Sequence, residues 1–551
     1  MKGYVKCYFD NKNFGFIMDE DGIQRFFHIT EVIGRTPLKR GAKVEFQPAE
    51  GIKGKTALKV SVVNKSSIIS KSIKKNSINI LKEIAKWKLE AKFDNVDRYF
   101  YKLEEIDNIL NGEKCFVIGR KGTGKTAISE YIYKQKAHNI FSQKLTFKEF
   151  PFNDLYKMKD DKYRYPNQYI TLWKNLIYTS TLRLLMVNES LDSELKDLLR
   201  KVYIHDPINY LHQKSAHFFT QKVGASVLGT GGNVSFAEKT KNDISWIEQS
   251  DILEKLILQN IDDSYYYIIF DELDDDYKDV FDLNNYNNYM ALLTSLFKAV
   301  QDVRSAFHNK QKNIIPIIFL RDDIYDQIKD SDKTKWNDFS LELNWDQIEI
   351  KNLLAFRLSK TFGIDAPIKT FDEVWNNIFS AETIEVNNSI FINREVFDYI
   401  SQFTYMRPRD YIEYLKICSE MSIKNNENMI GHDVVLKSSE KFSTHLFTEL
   451  VDEIHGIFPE IKEIFNIFRI FKTANFASFR FIHEYEKAIT NGKIPKRDPE
   501  FVLNTLFTFN VVGNERNNGQ RIFRYTNRSA VFNLNDNICI HKGLCKALLL
   551  T

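Results

Sequence analysis

Gly119-Arg-Lys-Gly-Thr-Gly-Lys-Thr126 follows the buried-strand pattern Lys114-Cys-Phe-Val-Ile118 and leads into a helical run, Ala127 to Lys136. Strand, glycine-rich loop and helix stand in the order that turns backbone N–H groups onto phosphate oxygens at a helix N-terminus. Gly119, Gly122 and Gly124, with Thr123 between them, allow the chain to approach phosphates closely. Lys125 is spaced to reach β and γ phosphates, and Thr126 to offer its hydroxyl to Mg²⁺. Such a loop calls for a second signal, a buried strand ending in carboxylates. Tyr265-Tyr-Tyr-Ile-Ile-Phe270 running into Asp271-Glu272 supplies it. Asp271 is expected to bind the metal through water and Glu272 to polarise an attacking water. The acids that follow, Asp274 to Asp276, read as a solvated loop.

A third apolar strand, Ile314 to Leu320, ends in Arg321-Asp322-Asp323. An arginine at the tip of a parallel strand beside the phosphate loop is positioned to sense a γ phosphate, with a salt bridge to Asp322 or Asp323 as the competing role. Farther on, Thr404-Tyr-Met-Arg-Pro-Arg-Asp410 precedes a helix over 411–422. Either Arg407 or Arg409 can close onto a nucleotide from a lid, and Asp410 reads as a helix cap. Arg304, on a helix over 290–308, is a weaker candidate for a finger acting on a neighbouring subunit.

Toward the N-terminus the pattern changes to short strands, Tyr4–Phe9, Phe14–Met18, Arg25–Ile29, Lys43–Pro48 and Thr56–Val62, separated by turn signals at Asp21-Gly22, Arg40-Gly41 and 51–54. That is the pattern of a small all-β barrel. Phe14 with Phe16, and Phe26 with His28, stand two apart on adjacent strands, so each pair shares one face. With Lys6, Lys12 and Arg25 among them, these rings suit stacking on unpaired bases. Charge agrees: residues 1–92 hold 19 Lys and Arg against 9 Asp and Glu, a net +10, while the remainder is −6. The basic stretch 64–92 opens with a Ser/Lys/Ile run, Lys65 to Lys75, that reads as a linker.

The first 63 residues resemble a cold-shock domain, a five-stranded oligonucleotide-binding (OB) barrel. The resemblance rests on Gly3-Tyr-Val-Lys6, Lys12-Asn-Phe-Gly-Phe-Ile17, Phe26-Phe-His-Ile29 and Lys43-Val-Glu-Phe46. Two rings usual in that family are replaced here, by Cys7 and Ile29. At about 1–3 kcal/mol per stacked base, weaker binding than that of a typical member is expected. The central motifs resemble P-loop ATPases of the AAA+ and STAND type. They are similar in particular to a bacterial group with the same loop, an Asp-Glu-Leu-Asp segment (271–274), a Phe-Leu-Arg strand end (319–321) and an Arg-Pro-Arg-Asp lid motif (407–410). This resemblance implies ATP and Mg²⁺ as ligands, Lys125 and Thr126 as phosphate and metal contacts, Asp271 and Glu272 as the Walker B pair, Arg321 as sensor and Arg407 or Arg409 as lid arginine. It also implies homo-oligomeric assembly and a role in antiviral defence against phage.

At the C-terminus, helices over 460–471, 474–488 and 499–510 precede a hairpin, 511–513 with 521–525. This resembles a winged-helix domain, in which Lys496, Arg516, Arg521 and Arg524 can touch nucleic acid, the alternative being a protein-contact module. Between the two ATPase motifs most of residues 137–262 look helical, with a glycine-punctuated hairpin at 223–236. The expected organisation is therefore a barrel (1–63), a basic linker or helix (64–92), an α/β P-loop core (93–350), a helical lid (351–450) and a winged-helix-like domain (451–551).

Of the 551 residues 43% are hydrophobic and 27% charged, which excludes full disorder. The longest apolar runs fall far below the roughly 20 residues of a membrane span. Five cysteines without a CxxC pair support neither a disulfide framework nor a zinc knuckle. Together with the polar N-terminus, these features lead us to expect a cytoplasmic protein with no membrane partner. The expected function is an ATP-hydrolysing switch that responds to single-stranded RNA or DNA. The alternative is a non-enzymatic ATP-binding scaffold that recruits an effector protein.

Overall fold

The computed structural model describes residues 1–9, 13–19, 21–33, 38, 42–51, 54–62, 70–147, 156, 159–160, 162–202, 246–274, 283–380, 383–385 and 393–550. Lys12, Asp275, Asp276 and the glycine-rich 223–236 segment lie outside them. The chain divides into two compact units, Met1–Ser77 and Ile78–Thr551.

In the first unit, β1 (Lys2–Phe9), β2 (Phe14–Asp19), β3 (Gln24–His28), β4 (Lys43–Gly51) and β5 (Gly54–Val62) close into a barrel of order β1-β2-β3-β5-β4. Val5, Ile17, Phe27, Val44, Phe46 and Val60 fill its interior. Gly15 is obligatory, because a Cβ there would stand 2.8 Å from the Phe27 ring and 2.5 Å from the Cys7 carbonyl. Arg25, expected among the exposed rings, is instead buried and paired with Asp19 at 2.7 Å. It alternates with Phe26 along β3, and so faces away from it. Within the stretch expected to be a basic linker or helix, a helix runs over Ser70–Ile84.

The second unit is built on a five-stranded sheet of β6 (Phe116–Ile118), β7 (Ile140–Thr146), β8 (Tyr265–Asp271), β9 (Asn313–Leu320) and β10 (Ser340–Glu342). Every neighbouring pair is parallel, in the order β10-β6-β9-β8-β7. Helices cover both faces, which is why β8 and β9 read as continuous apolar runs. Tyr266, Ile268 and Phe270 pack into the cluster that includes helices Ile170–Val187 and Leu283–His308. Tyr267 and Ile269 join Ile128 and Ile132 of helix Lys125–Lys134 on the other face. β7 falls in a stretch expected to be mostly helical; at the edge of the sheet and only half-buried, it has no uninterrupted apolar run.

Helices Gln347–Lys360, Phe371–Ile378, Val396–Ser401, Pro408–Lys424 and His432–Ile454 form the helical region expected to serve as a lid. The first two open with reciprocal capping boxes, Asp346 with Glu349 and Thr370 with Glu373, each cap contributing about 1 kcal/mol. The last helix continues past the expected boundary at 450. Beyond it, helices Ile461–Phe471, Ser478–Thr490 and Pro499–Thr508 accompany an antiparallel sheet of β11 (Asn475–Ala477), β12 (Val512–Glu515), β13 (Arg521–Ile522) and β14 (Asn537–Ile540) in the order β11-β14-β12-β13. Residues 475–477, expected at a helix start, are a strand because they pair with β14 some 60 residues on.

Candidate functional site

The order of the sheet inserts β9 between the two strands that carry the loop and the carboxylates. The carboxyl ends of β6, β9 and β8 therefore sit side by side, where α/β folds hold their ligands. After β6 the backbone turns sharply. Gly122 and Gly124 adopt φ of +84° and +104°, which a side chain would strain, and a Cβ on Gly119 would meet the Thr123 hydroxyl at 2.7 Å. The Thr123 hydroxyl donates to the Arg120 carbonyl, and the Trp345 indole N–H donates to the Thr123 carbonyl at 2.9 Å. The loop is thus held from both sides.

Lys125 opens the following helix, and its ammonium donates to the carbonyls of Gly119 (2.7 Å) and Arg120 (3.0 Å). Burial lowers its pKa, against the pull of Asp274 and Asp322. Thr126 lines the same cleft. Asp271, at the end of β8, is buried and accepts from the Ser129 hydroxyl at 2.6 Å, with Lys144 of β7 at 2.8 Å from the same oxygen. Burial opposes the charge on Lys144, but Asp271 and Glu130 outweigh it and raise its pKa. Glu272 adopts φ +59°, a left-handed conformation that costs a non-glycine residue about 1–3 kcal/mol. Its Oε1 pairs with Lys92 at 2.7 Å, while its buried Oε2 has no hydrogen-bond partner among the described residues.

Arg321 fulfils the competing role foreseen for it: it forks onto Asp323 (2.9 and 2.7 Å), reaches Glu453 at 3.0 Å, and lies 3.8 Å from Asp274. The two lid arginines, which the sequence left unseparated, differ in their surroundings. Arg409 lines the cleft, whereas Arg407 is buried behind the loop, donating to the Lys121 carbonyl and to Asp410. Both bind Glu449, at 2.9 Å and 2.6 Å. Burial favours protonation of Glu449, but Arg407, Arg409 and Lys121 override it and hold its carboxyl down at about 2. Asp410 accepts from the Tyr405 backbone N–H and from Arg407, so it braces the Arg-Pro-Arg turn.

Residues 121–126 of the loop, Asp271, Glu272, Arg321, Arg409 and Glu449 line a cleft of about 620 Å³, within the range of nucleotide-sized pockets. Apolar walls come from Val96, Phe100 and Leu103 before β6 and from Leu353 and Ile412 of the lid region. Lys92, Lys144, Ser129, Trp345, Glu449 and Glu453 were missed by the sequence reading. For Glu449 and Glu453, one helical turn apart, that spacing was the available signal. Arg304 corrects another expectation: it donates to the Gly112 carbonyl and packs over the Phe339 ring, so it is engaged within its own subunit. Arg524, expected to face nucleic acid, is buried and paired with Asp322 (2.9 Å) and Asp326.

On the barrel, Phe14, Phe16 and Phe26 contact one another with ring centroids 5.4–6.0 Å apart, and Phe26 is 37% exposed. His28 pairs across from Phe14 and is hydrogen-bonded to Thr30. Lys6 is exposed beside Gln24. The four expected rings therefore do share one outward face.

Residues 1–63 match the "cold-shock" DNA-binding domain family, and residues 348–451 match a family described as the FunZ-associated C-terminal helical domain. A cold shock-like protein of Thermotoga maritima is 42% identical over 65 residues, 11% of this chain and 98% of the relative. A second relative, "Putative transposon gamma-delta 80.3 kDa protein" of Escherichia coli K12, is 24% identical over 471 residues. That match takes in 79% of this chain and 62% of the relative, so the chain spans less than two thirds of it. Among solved structures, the Aeropyrum pernix ORC1 protein in complex with DNA aligns at 9% identity and a TM-score of 0.36, over 84% of this chain and 96% of that one. The Aeropyrum pernix ORC2 protein aligns at 13% identity and the same TM-score, over 82% and 95%. No described helix is long and apolar enough to cross a membrane.

Proposed function

We propose that this chain, whose N-terminal residues 1–63 belong to the cold-shock domain family, is a cytoplasmic Mg²⁺-dependent ATPase of the AAA+ or STAND type that responds to single-stranded nucleic acid. One observation carries the reading: loop residues 121–126, the Asp271-Glu272 pair, Arg321 and Arg409 converge on a single cleft. The glycine-rich loop and Lys125 would hold the phosphates, and Thr126 and Asp271 the Mg²⁺. The residues fit these ligands: two glycines hold φ values open to them, and Glu272 keeps a buried carboxylate oxygen unpaired beside the cleft. The ion would supply charge neutralisation on the phosphates, and Glu272 would orient water. Arg407 acts behind the loop, as a positioning residue. The C-terminal helices and sheet make a winged-helix-like module, and the active form is a homo-oligomer.

The test is ATP turnover with and without single-stranded RNA or DNA. Lys125→Ala is expected to abolish nucleotide binding or turnover, and Glu272→Gln to keep ATP bound while slowing hydrolysis. Wild-type turnover in Glu272→Gln would remove that residue from its role.

A second reading, a scaffold for an effector protein in which ATP is a slow ligand, is favoured by the pairing of Arg321, Arg407 and Arg409 with lid glutamates. Near-zero turnover, unchanged by oligonucleotide, would select it. A defence role is tested by phage plaque counts on cells carrying the wild-type or Lys125→Ala chain; equal counts would remove it.

A further inference from the structure

The register of β1 against β2 is interrupted once. Val5 pairs with Ile17, but Cys7 pairs with Phe16, so Lys6 is the extra residue of a bulge. In an uninterrupted strand Cys7 and Phe9 would share the inward face of Val5. The bulge reverses that parity and re-aims them. Tyr8 now points inward, stacked on Phe27 at 6.0 Å, and Phe9 points out, 42% exposed, opposite Phe14 with ring centroids 5.2 Å apart.

Two cross-strand rows result. One is Cys7, Phe16 and Phe26; the other is Phe9, Phe14 and His28. The first lacks a ring at its β1 position, whereas the second is complete. An exposed phenyl ring beside Phe14 serves no purpose in the barrel core. Its edge-tilted contact at 48° leaves its own surface open to a flat partner.

We propose that Phe9 is a fifth stacking position of this surface, taking an unpaired base in the row it shares with Phe14 and His28. This rests on the nucleic-acid reading above and extends it to a residue outside the quoted motifs. The experiment uses the full chain and fluorescein-labelled oligo(dT) and oligo(U), read by anisotropy at fixed salt. Phe9→Ala is expected to weaken binding about 5- to 150-fold, the range for loss of one base stack. Phe9→Trp should keep the affinity, and its added emission should be quenched by oligonucleotide. Because Phe9 is exposed, thermal unfolding of both variants should match wild type. If Phe14→Ala loses affinity while Phe9→Ala does not, or if the Phe9→Trp emission is not quenched, the proposal is overturned and the nucleic-acid reading survives. If wild type binds neither oligonucleotide, both fall together.

Discussion

The ammonium of Lys92 stands 2.7 Å from Oε1 of Glu272, the carboxylate expected to orient water at the cleft. Lys92 comes from the segment that follows helix Ser70–Ile84, whereas Glu272 is the first residue after β8. An ion pair there holds the carboxylate to a cation and away from a water molecule. Lys92→Ala is expected to raise basal ATP turnover about fivefold, for a partly buried pair contributing ~1 kcal/mol. The measurement is steady-state phosphate release without oligonucleotide. Unchanged or slower release in a folded variant would show that Lys92 does not restrain Glu272.

Glu453 binds Arg321 at 3.0 Å and approaches Lys121 at 3.9 Å. A carboxylate in that place competes with phosphate for the same cations. Glu453→Gln is therefore expected to tighten ATP binding several-fold, measured by titration of a fluorescent ATP analogue. Weaker binding by a folded variant would contradict this competition.

Arg524 joins the C-terminal module to the strand end beside Arg321 through Asp322 and Asp326. Removing one member of a buried pair leaves the other charge uncompensated, at a cost of about 3–5 kcal/mol. Arg524→Ala should lower the thermal unfolding midpoint sharply, while Arg521→Ala, on a largely exposed side chain, should leave it nearly unchanged. Equal midpoints for the two variants would refute the docking role.

Acid should destabilise the protein in two stages. Burial, reinforced by Arg407 and Arg120, holds His541 down at about 3, against an unfolded value near 6.5. The unfolded chain therefore takes a proton below pH 6.5 that the folded chain refuses, and stability falls with pH through that window. The loss at pH 5 relative to pH 7 is about 2 kcal/mol. Below pH 4.5, Glu449, held at about 2, adds to it in the same direction. Thermal unfolding at pH 7 and pH 5 measures this. An equal midpoint at both, or the same slope in His541→Asn, would exclude His541 as the cause.

The chain alone determined what short-range physics dictates. Glycines at 119, 122 and 124 are required by backbone angles and close approach, and the apolar runs of β8 and β9 follow from burial on both faces. The ring pairs of the barrel follow from strand alternation. These signals lie within a few residues of one another, so one sequence carries them. The partners of the charged groups came only from the tertiary structure. Arg407 with Glu449, Arg321 with Glu453, Lys144 with Asp271 and Arg524 with Asp322 join residues 42 to 202 positions apart, brought together by strand order and lid packing. The same holds for the direction of Phe9. A one-residue bulge inverts the face of every side chain beyond it, and nothing in the local pattern of β1 announces where that extra residue falls.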